Sequence, residues 1–198
     1  MSNEFLKSLF VKPPLVLNRR LLPFSAFHLS AMILTGNPYI VGGKPEIEDL
    51  VLAVHICRSK FRDGGNVISP SGPELLRIQK WGHDCDFEHE SDQFGQYLID
   101  HFDFPEIGVE EGKGAPKESG QPAPFALVTS VLTHLRGISE DVAWDMPLSR
   151  LVSYKYAIGE AHDAWTIRTE RQKELGRMAA QMAAEANAGE STKPEDES

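Results

Sequence analysis

The fold class follows from residues 45–61, which read PEIEDLVLAVHICRSKF. Pro45 lies in the first turn of the helix that this stretch predicts, and the acidic residues behind it complement the positive end of the helix dipole. Apolar side chains recur at intervals of three and four residues and cover a wide stripe of the helix surface. Such a helix is buried on several sides, which indicates a packed, all-α protein.

The same spacing predicts about six helices, separated by glycine and proline residues that end them. No run of alternating apolar and polar residues is long enough for a regular strand. One short hairpin is compatible with the sequence, at residues 39–41 or 66–68. Besides 45–61, the predicted helical stretches are 24–35, 73–81, 94–102, 125–135, one that begins behind Pro147, and 165–186.

Composition divides the chain into four parts. Residues 1–104 and 125–186 carry the predicted helices and form an N-terminal and a C-terminal helical part. Residues 105–124 are rich in glycine, proline and charge, which predicts a flexible linker. Residues 187–198 are acidic and lack aromatic and β-branched aliphatic side chains, which predicts a disordered tail.

The charge balance limits the classes of partner. The chain has 198 residues, a net charge of −9 at pH 7 and 41% hydrophobic residues, enough for one packed domain. Nucleic acids and anionic membranes attract surfaces rich in lysine and arginine, so neither is the predicted partner. The N-terminus lacks a signal-peptide pattern and no apolar run is long enough to cross a bilayer, so we expect a cytoplasmic protein.

Cysteine and histidine residues are the only candidates for a metal site. Cys57 lies on the apolar side of the central predicted helix and is expected to be a small buried hydrophobic residue. His83, Cys85 and His89 bring metal-ligand types together, but a zinc site needs four ligands, and no second pair follows at a familiar spacing. The preferred interpretation is an exposed acidic loop with no metal and no cofactor; a zinc-binding protein is the alternative.

The sequence predicts no catalytic activity. It contains no Gly-x-Ser-x-Gly nucleophile motif, and neither cysteine lies in the context of a known nucleophile. Residues 108–113 read GVEEGK, which is one residue too short for a phosphate-binding loop and includes two glutamates that would repel a phosphate. We therefore expect a protein that acts by binding another macromolecule.

Two regions are the predicted partner surfaces. In the first, Asp145 is predicted to cap a helix by accepting a hydrogen bond from the Leu148 N–H, with Trp144 folded back on the first turn. Its large side chains are of types enriched at binding hot spots, although aromatic residues at helical spacing lie in the core more often. The second is a narrow apolar seam on the last helix, which either packs on the body or binds another chain. The predicted partner-binding residues are Trp144, Met146, Leu148, Tyr154, Leu175, Met178 and Met182.

The segment Trp144-Asp145-Met146-Pro147-Leu148-Ser149, followed by a helix with tyrosine and alanine, resembles the C-terminal part of tail assembly chaperones of long-tailed bacteriophages. Residues 22–54 contain a second patch that is similar to the N-terminal half of related phage proteins. The resemblance implies a non-catalytic protein of the host bacterial cytoplasm that binds the tape-measure protein of the tail and keeps it soluble. Self-association is left open, and a structural virion component (a tail-completion or connector protein) is the alternative.

Overall fold

The structure, a computed structural model, describes residues 14–102, 107–108, 122–161, 166–167 and 178. The described residues are mostly helical, which confirms the predicted all-α character. They contain nine α-helices and two 3-10 turns, more than the six or so helices expected. Three of the additional elements are short helices, of four to six residues, that carry too little periodicity to be predicted.

The described chain begins with a hairpin of two short strands, β1 (Leu15–Val16) and β2 (Arg19–Arg20). Its turn residues Leu17 and Asn18 have φ angles of 51° and 55°, as a two-residue hairpin turn requires. Leucine rarely adopts this conformation. It is held here because the Leu17 side chain is buried and its N–H donates to the Glu90 carboxylate at 2.6 Å.

The N-terminal helices follow the hairpin. They are α1 (Ala26–Leu34), α2 (Pro38–Val41), α3 (Ile47–Cys57), α4 (Gly64–Ile68), α5 (Gly72–Gln79) and α6 (Phe87–Phe102). The 3-10 turns Phe61–Asp63 and Lys80–Gly82 precede α4 and follow α5, respectively.

The two stretches predicted as a hairpin are helical, so that prediction is wrong. Residues 39–41 belong to α2, because Pro38 occupies its first turn and the Asn37 side chain accepts a hydrogen bond from the Tyr39 N–H at 3.2 Å. Residues 66–68 belong to α4, with the Val67 side chain buried. Local capping and burial outweigh the β-propensity of the isoleucine and valine residues in both stretches.

The long helix α6 begins at Phe87, seven residues before the predicted start. Asp86 supplies the start, since its side chain accepts a hydrogen bond from the His89 N–H at 3.2 Å. Glu88 and Glu90 in the first turn favour the same end of the dipole. Acidic residues that suggested an exposed loop are thus the first turn of a helix.

The C-terminal helices are α7 (Ala123–His134), α8 (Glu140–Asp145) and α9 (Leu148–Ala161). Strand β3 (Ile107–Gly108) pairs antiparallel with β4 (Thr166–Ile167). Both strands correct the sequence prediction, because β3 lies within the predicted linker and β4 lies where the last helix was expected to begin. The rest of the predicted linker, except Pro122, Ala123 and Pro124, and the predicted tail lie outside the described residues.

One hydrophobic core joins the two predicted helical parts. Helix α3 contributes seven buried residues. Helices α7 and α9 pack against each other, and in addition α7 packs against α1 and α9 against α6. Within the N-terminal part, Tyr97 ties α6 to the segment before α1, since its hydroxyl donates to the Leu22 carbonyl at 2.7 Å. Among the described residues, no helix is both long and apolar enough to cross a membrane. The largest fully buried side chains include Phe24, Met32, Leu50, Ile56, Ile78, Phe94, Tyr97, Leu148 and Leu151.

Candidate partner-binding groove

The first predicted partner region, residues 144–148, packs against the N-terminal part of the chain, and we call this contact the junction. Trp144 is 5% exposed. Its ring stacks on Phe61 with a centroid distance of 5.4 Å and meets Phe125 edge-on at 4.9 Å. Aromatic pairs of this kind stabilise a core beyond the area they bury. Trp144 therefore packs in the core and stabilises the fold.

Asp145 does not cap the following helix, so that prediction is wrong. Its carboxylate accepts a hydrogen bond from the Phe61 N–H at 2.7 Å. The Leu148 N–H instead donates to the Phe24 carbonyl at 2.7 Å, and Ser25 forms an isolated β-bridge with Pro147. The groups that a local cap would pair with each other are thus paired across the junction.

The other predicted partner residues are distributed unevenly. Met146 and Leu148 are buried, so with Trp144 they form no exposed surface here. Tyr154 is half-buried, and its hydroxyl accepts a hydrogen bond from Arg150 Nε at 3.0 Å while the guanidinium lies over its ring. Met178 is helical and 52% exposed. Leu175 and Met182 lie outside the described residues.

His28 closes the inner side of the junction, in the first turn of α1. Its Nδ1 accepts from the Ser25 N–H at 3.1 Å. Its Nε2 lies 2.9 Å from the Ser59 carbonyl, which can only accept, so Nε2 carries the proton of a neutral ring. Burial lowers the pKa of His28 to about 4; the bond to Ser59 opposes the shift and the charge of His101 adds to it.

A cleft of about 400 Å³ lies beside the junction, but its carboxylates already have partners. Asp145 is bonded to Phe61, and Asp141 accepts a hydrogen bond from the Ser139 hydroxyl and pairs with Arg62 at 3.6 Å. These contacts keep the pKa of Asp141 below its usual range, with the Ser139 hydrogen bond as the main cause. The cleft is therefore bordered by groups that hold the fold together.

An open apolar groove lies at a different place, between α3 and α5, and encloses about 550 Å³. A volume of this size falls within the range of known ligand pockets. Five of the ten lining residues are aliphatic, and these five come from α3 and α5. The lining residues are Ile47, Glu48, Asp49, Val51, Leu52, Leu75, Ile78, Gln79, Gly82 and His83.

Gly82 sets the width of the groove at the end of α5. A β-carbon at this position would lie 2.8 Å from Ile47 Cγ1 and 3.1 Å from Val51 Cγ2. Only glycine therefore lets the 3-10 turn approach α3 this closely without a shift of the isoleucine side chain. Ile47 itself is half-buried beside this turn.

Apolar side chains extend from the groove onto the outer surface of α5. Leu75 is 41% exposed and Leu76 is 64% exposed, whereas Ile78 of the same helix is fully buried. Glu48 and Asp49 line the other side of the groove, on the first turn of α3. The groove thus combines an aliphatic floor with acidic residues along one side.

The three candidate metal ligands are not gathered at one point. His83 is exposed at the end of the groove, and the Cys85 thiol donates to the Gly82 carbonyl at 3.4 Å. His89 lies on α6, with its Nε2 2.7 Å from the Gln93 amide. In the part of the chain that the structure describes, no three His, Cys, Asp or Glu side chains are placed to hold one metal ion.

Strongly shifted pKa values occur in the core, away from the groove. Burial raises the pKa of the Cys57 thiol far above its usual range and also raises that of Tyr97. Cys57 is fully buried, which confirms its predicted role as a small hydrophobic residue. No such group lines the groove, so among the described residues the groove offers binding surface and no nucleophile with an adjacent base.

The sequence contains only a faint signal for this groove. Leu75 and Leu76 are adjacent and lie about 100° apart around the axis of a short helix, so a narrow core-facing stripe cannot cover both equally. Which helix would lie opposite α5 could not be read from the spacing. No family model, curated protein or solved structure matches the chain.

Proposed function

We propose that this protein is a non-catalytic tail assembly chaperone that binds the tape-measure protein of a phage tail in the host cytoplasm, through the groove between α3 and α5. The observation that carries the proposal is the open aliphatic groove, with Leu75 and Leu76 exposed beside it. The resemblance of residues 144–149 to such chaperones supplies the identity of the client.

The shape of the groove favours a helix as its ligand. Two packed helices that leave an apolar channel between them accept the apolar face of a third helix, with anchor residues at intervals of three and four. Leu52, Leu75 and Ile47 are the partly exposed side chains that such anchors would cover. Covering them would remove apolar surface from water, which is the main source of binding free energy.

The charge of the groove limits which client segments fit it. Glu48 and Asp49 lie along one side of the groove, and the whole chain carries a net charge of −9. Complementary charge raises the rate of association and fixes the orientation of the bound helix. The client segment is therefore an amphipathic helix whose apolar stripe has lysine or arginine beside it.

Many copies bound along one long client would together bind it more strongly than a single copy does. Each groove covers only a short stretch of helix, so a single contact is weak. Repeated segments on one extended chain would hold many copies at high effective concentration. A chaperone of this kind keeps its client soluble without forming a tight complex at any one site.

Co-expression tests the proposal directly. A phage tape-measure protein is produced with and without this chain, and its soluble fraction and its retention on the tagged chain are measured. We expect both to increase with the chaperone. Unchanged solubility together with no retention contradicts the proposal.

The composition of purified phage particles separates the proposal from a structural virion component. A chaperone leaves the client before the tail is complete, so mass spectrometry of mature particles should detect none of this chain. Stoichiometric amounts in the particle would favour the tail-completion or connector alternative.

A further inference from the structure

Trp81, in the 3-10 turn behind α5, has two guanidinium groups over its ring. Arg19 of β2 lies 5.0 Å from the ring centroid, and Arg58 at the end of α3 lies 5.1 Å from it. Cation–π attraction of this kind holds an arginine in a fixed orientation. Three elements that are distant in sequence thus bring two positive charges to one aromatic side chain.

A third arginine adds a further positive charge close to Trp81. Arg77 of α5 lines the same cavity and pairs with Glu74 at 3.1 Å. Burial lowers the pKa of Arg58, and the positive charges of Arg19 and Arg77 lower it further, so the three groups are close enough to repel one another. Within the described residues, neither Arg19 nor Arg58 has an ion-pair partner.

Arg58 and Arg77 border a cavity of about 340 Å³, which a buried and unpartnered histidine also lines. His55 is 6% exposed and also lines the cavity. Its Nε2 has no hydrogen-bond partner among the described residues, and its ring centroid lies 6.1 Å from that of Trp81. Buried polar atoms in proteins nearly always have a partner, so this nitrogen points to a ligand.

We propose that this cavity binds a single oxyanion, a phosphate or a carboxylate group, between Arg58, Arg77 and His55. The planar guanidinium group donates two parallel hydrogen bonds to such a group, and Trp81 holds Arg58 in place for them. The neutral His55 ring has one N–H, and protonation at the unpartnered Nε2 makes this nitrogen a donor for the oxyanion.

The charges in the cavity set the size of the ligand. Arg58 and Arg77 line the cavity and contribute +2, and Asp63 and Glu74 line it and contribute −2. Arg19, over the Trp81 ring beside the cavity, adds +1, so the net charge around the site is +1. One oxyanion balances this charge, and an extended polyanion would meet the two carboxylates. The site lies on an acidic protein, so the positive charge is local and is not part of a general basic surface.

Titration of the full-length ¹⁵N-labelled protein by NMR tests the site. Inorganic phosphate is added in one arm and sodium acetate in another, with sodium chloride keeping the ionic strength constant. We expect a saturable shift of the Trp81 indole N–H in at least one arm, with the Trp144 indole unchanged. Saturation by phosphate alone identifies a phosphate site, and saturation by acetate identifies a carboxylate site.

Substitutions localise the effect, and the hairpin supplies a matched control. Arg58→Gln should weaken binding about tenfold or more, because it removes a charged two-bond donor. Arg58→Lys keeps the charge and the fold but loses the fork, so it should also weaken binding. Arg20→Gln changes the neighbour of Arg19 on the opposite face of β2 and should leave affinity within about twofold.

Two results would overturn the proposal. The first is a Trp81 signal that saturates with neither phosphate nor acetate. The second is an equal loss of affinity in Arg20→Gln and Arg58→Gln, since this would mean that the anion responds to overall charge and not to the cavity.

Discussion

The junction and the groove differ in opposite ways from what the sequence predicts. The residues predicted to bind a partner are buried at the junction, and the exposed apolar residues lie at the groove, which was not predicted. The junction contains Trp144, Met146 and Leu148, which the sequence predicted to bind a partner, yet all three side chains are buried. The groove is built from ordinary aliphatic residues, and Leu75 and Leu76 beside it are exposed. The comparison shows that an aromatic segment typical of a binding surface can instead form a tertiary contact between distant parts of one chain.

The largest expected effect tests whether the junction holds the fold together. Trp144→Ala should lower the free energy of unfolding by about 3 to 5 kcal/mol, because it removes a buried ring stacked between Phe61 and Phe125. Val142→Ala on the same helix is the control. Val142 is 51% exposed, so its change should stay within about 0.5 kcal/mol. Equal effects of both substitutions in urea unfolding would show that Trp144 is not a core residue.

The next effect concerns the pH dependence of the junction. The pKa of His28 falls from 6.5 in the unfolded chain to about 4 in the fold, so acid protonates the unfolded chain first. The free energy of unfolding therefore has its full value above pH 6.5 and decreases as the pH falls towards 4. The size of the pKa shift makes this decrease roughly 3 kcal/mol. Burial also lowers the pKa of His101, which adds in the same direction.

Urea unfolding at pH 7.5, 6.5 and 5.5 measures this contribution. The unfolding free energies of the native protein and of His28→Gln should approach each other as the pH falls, because the variant has no imidazole to protonate. A difference that stays constant over this range would mean that His28 is not held as a neutral ring.

A smaller effect distinguishes a tertiary hydrogen bond from a helix cap. Asp145→Ala should destabilise the protein by about 1 to 3 kcal/mol, because it leaves the Phe61 N–H without its acceptor. The matched substitution Asp141→Ala removes the contacts of a carboxylate with Ser139 and Arg62 at the surface, where such contacts are weak, and should have a much smaller effect. Amide hydrogen exchange gives the location: the Phe61 amide should lose protection in Asp145→Ala, and faster exchange at Leu148 alone would support the local cap.

Much of the fold could be predicted from the sequence because its main helices are strongly periodic. Residues 45–61 predicted a buried helix, and α3 is Ile47–Cys57 with seven buried side chains. The residues at which the helices begin and end were harder to predict. Asp86 starts α6 at Phe87 because a capping side chain can begin a helix through polar residues, where apolar periodicity gives no signal.

Features set by tertiary contacts could not be predicted. Leu17 adopts a positive φ angle in the β1–β2 turn while its N–H is bonded to Glu90, which is 73 positions away. Asp145 and the Leu148 N–H looked like partners in one helix start, but each is paired with a different N-terminal residue. The groove depends on α5 lying across α3 with Gly82 against Ile47, and no local pattern contains that pairing.

The affinity of two charge variants for one tape-measure segment tests the central claim most directly. Leu75→Asp and Val142→Asp place the same charge on side chains of similar exposure, 41% and 51%, one in the groove and one beside the junction. With both variants folded by circular dichroism, Leu75→Asp should weaken binding about tenfold or more, and Val142→Asp should leave it within about twofold. Lost affinity in Val142→Asp with unchanged affinity in Leu75→Asp would contradict the account and assign binding to the junction.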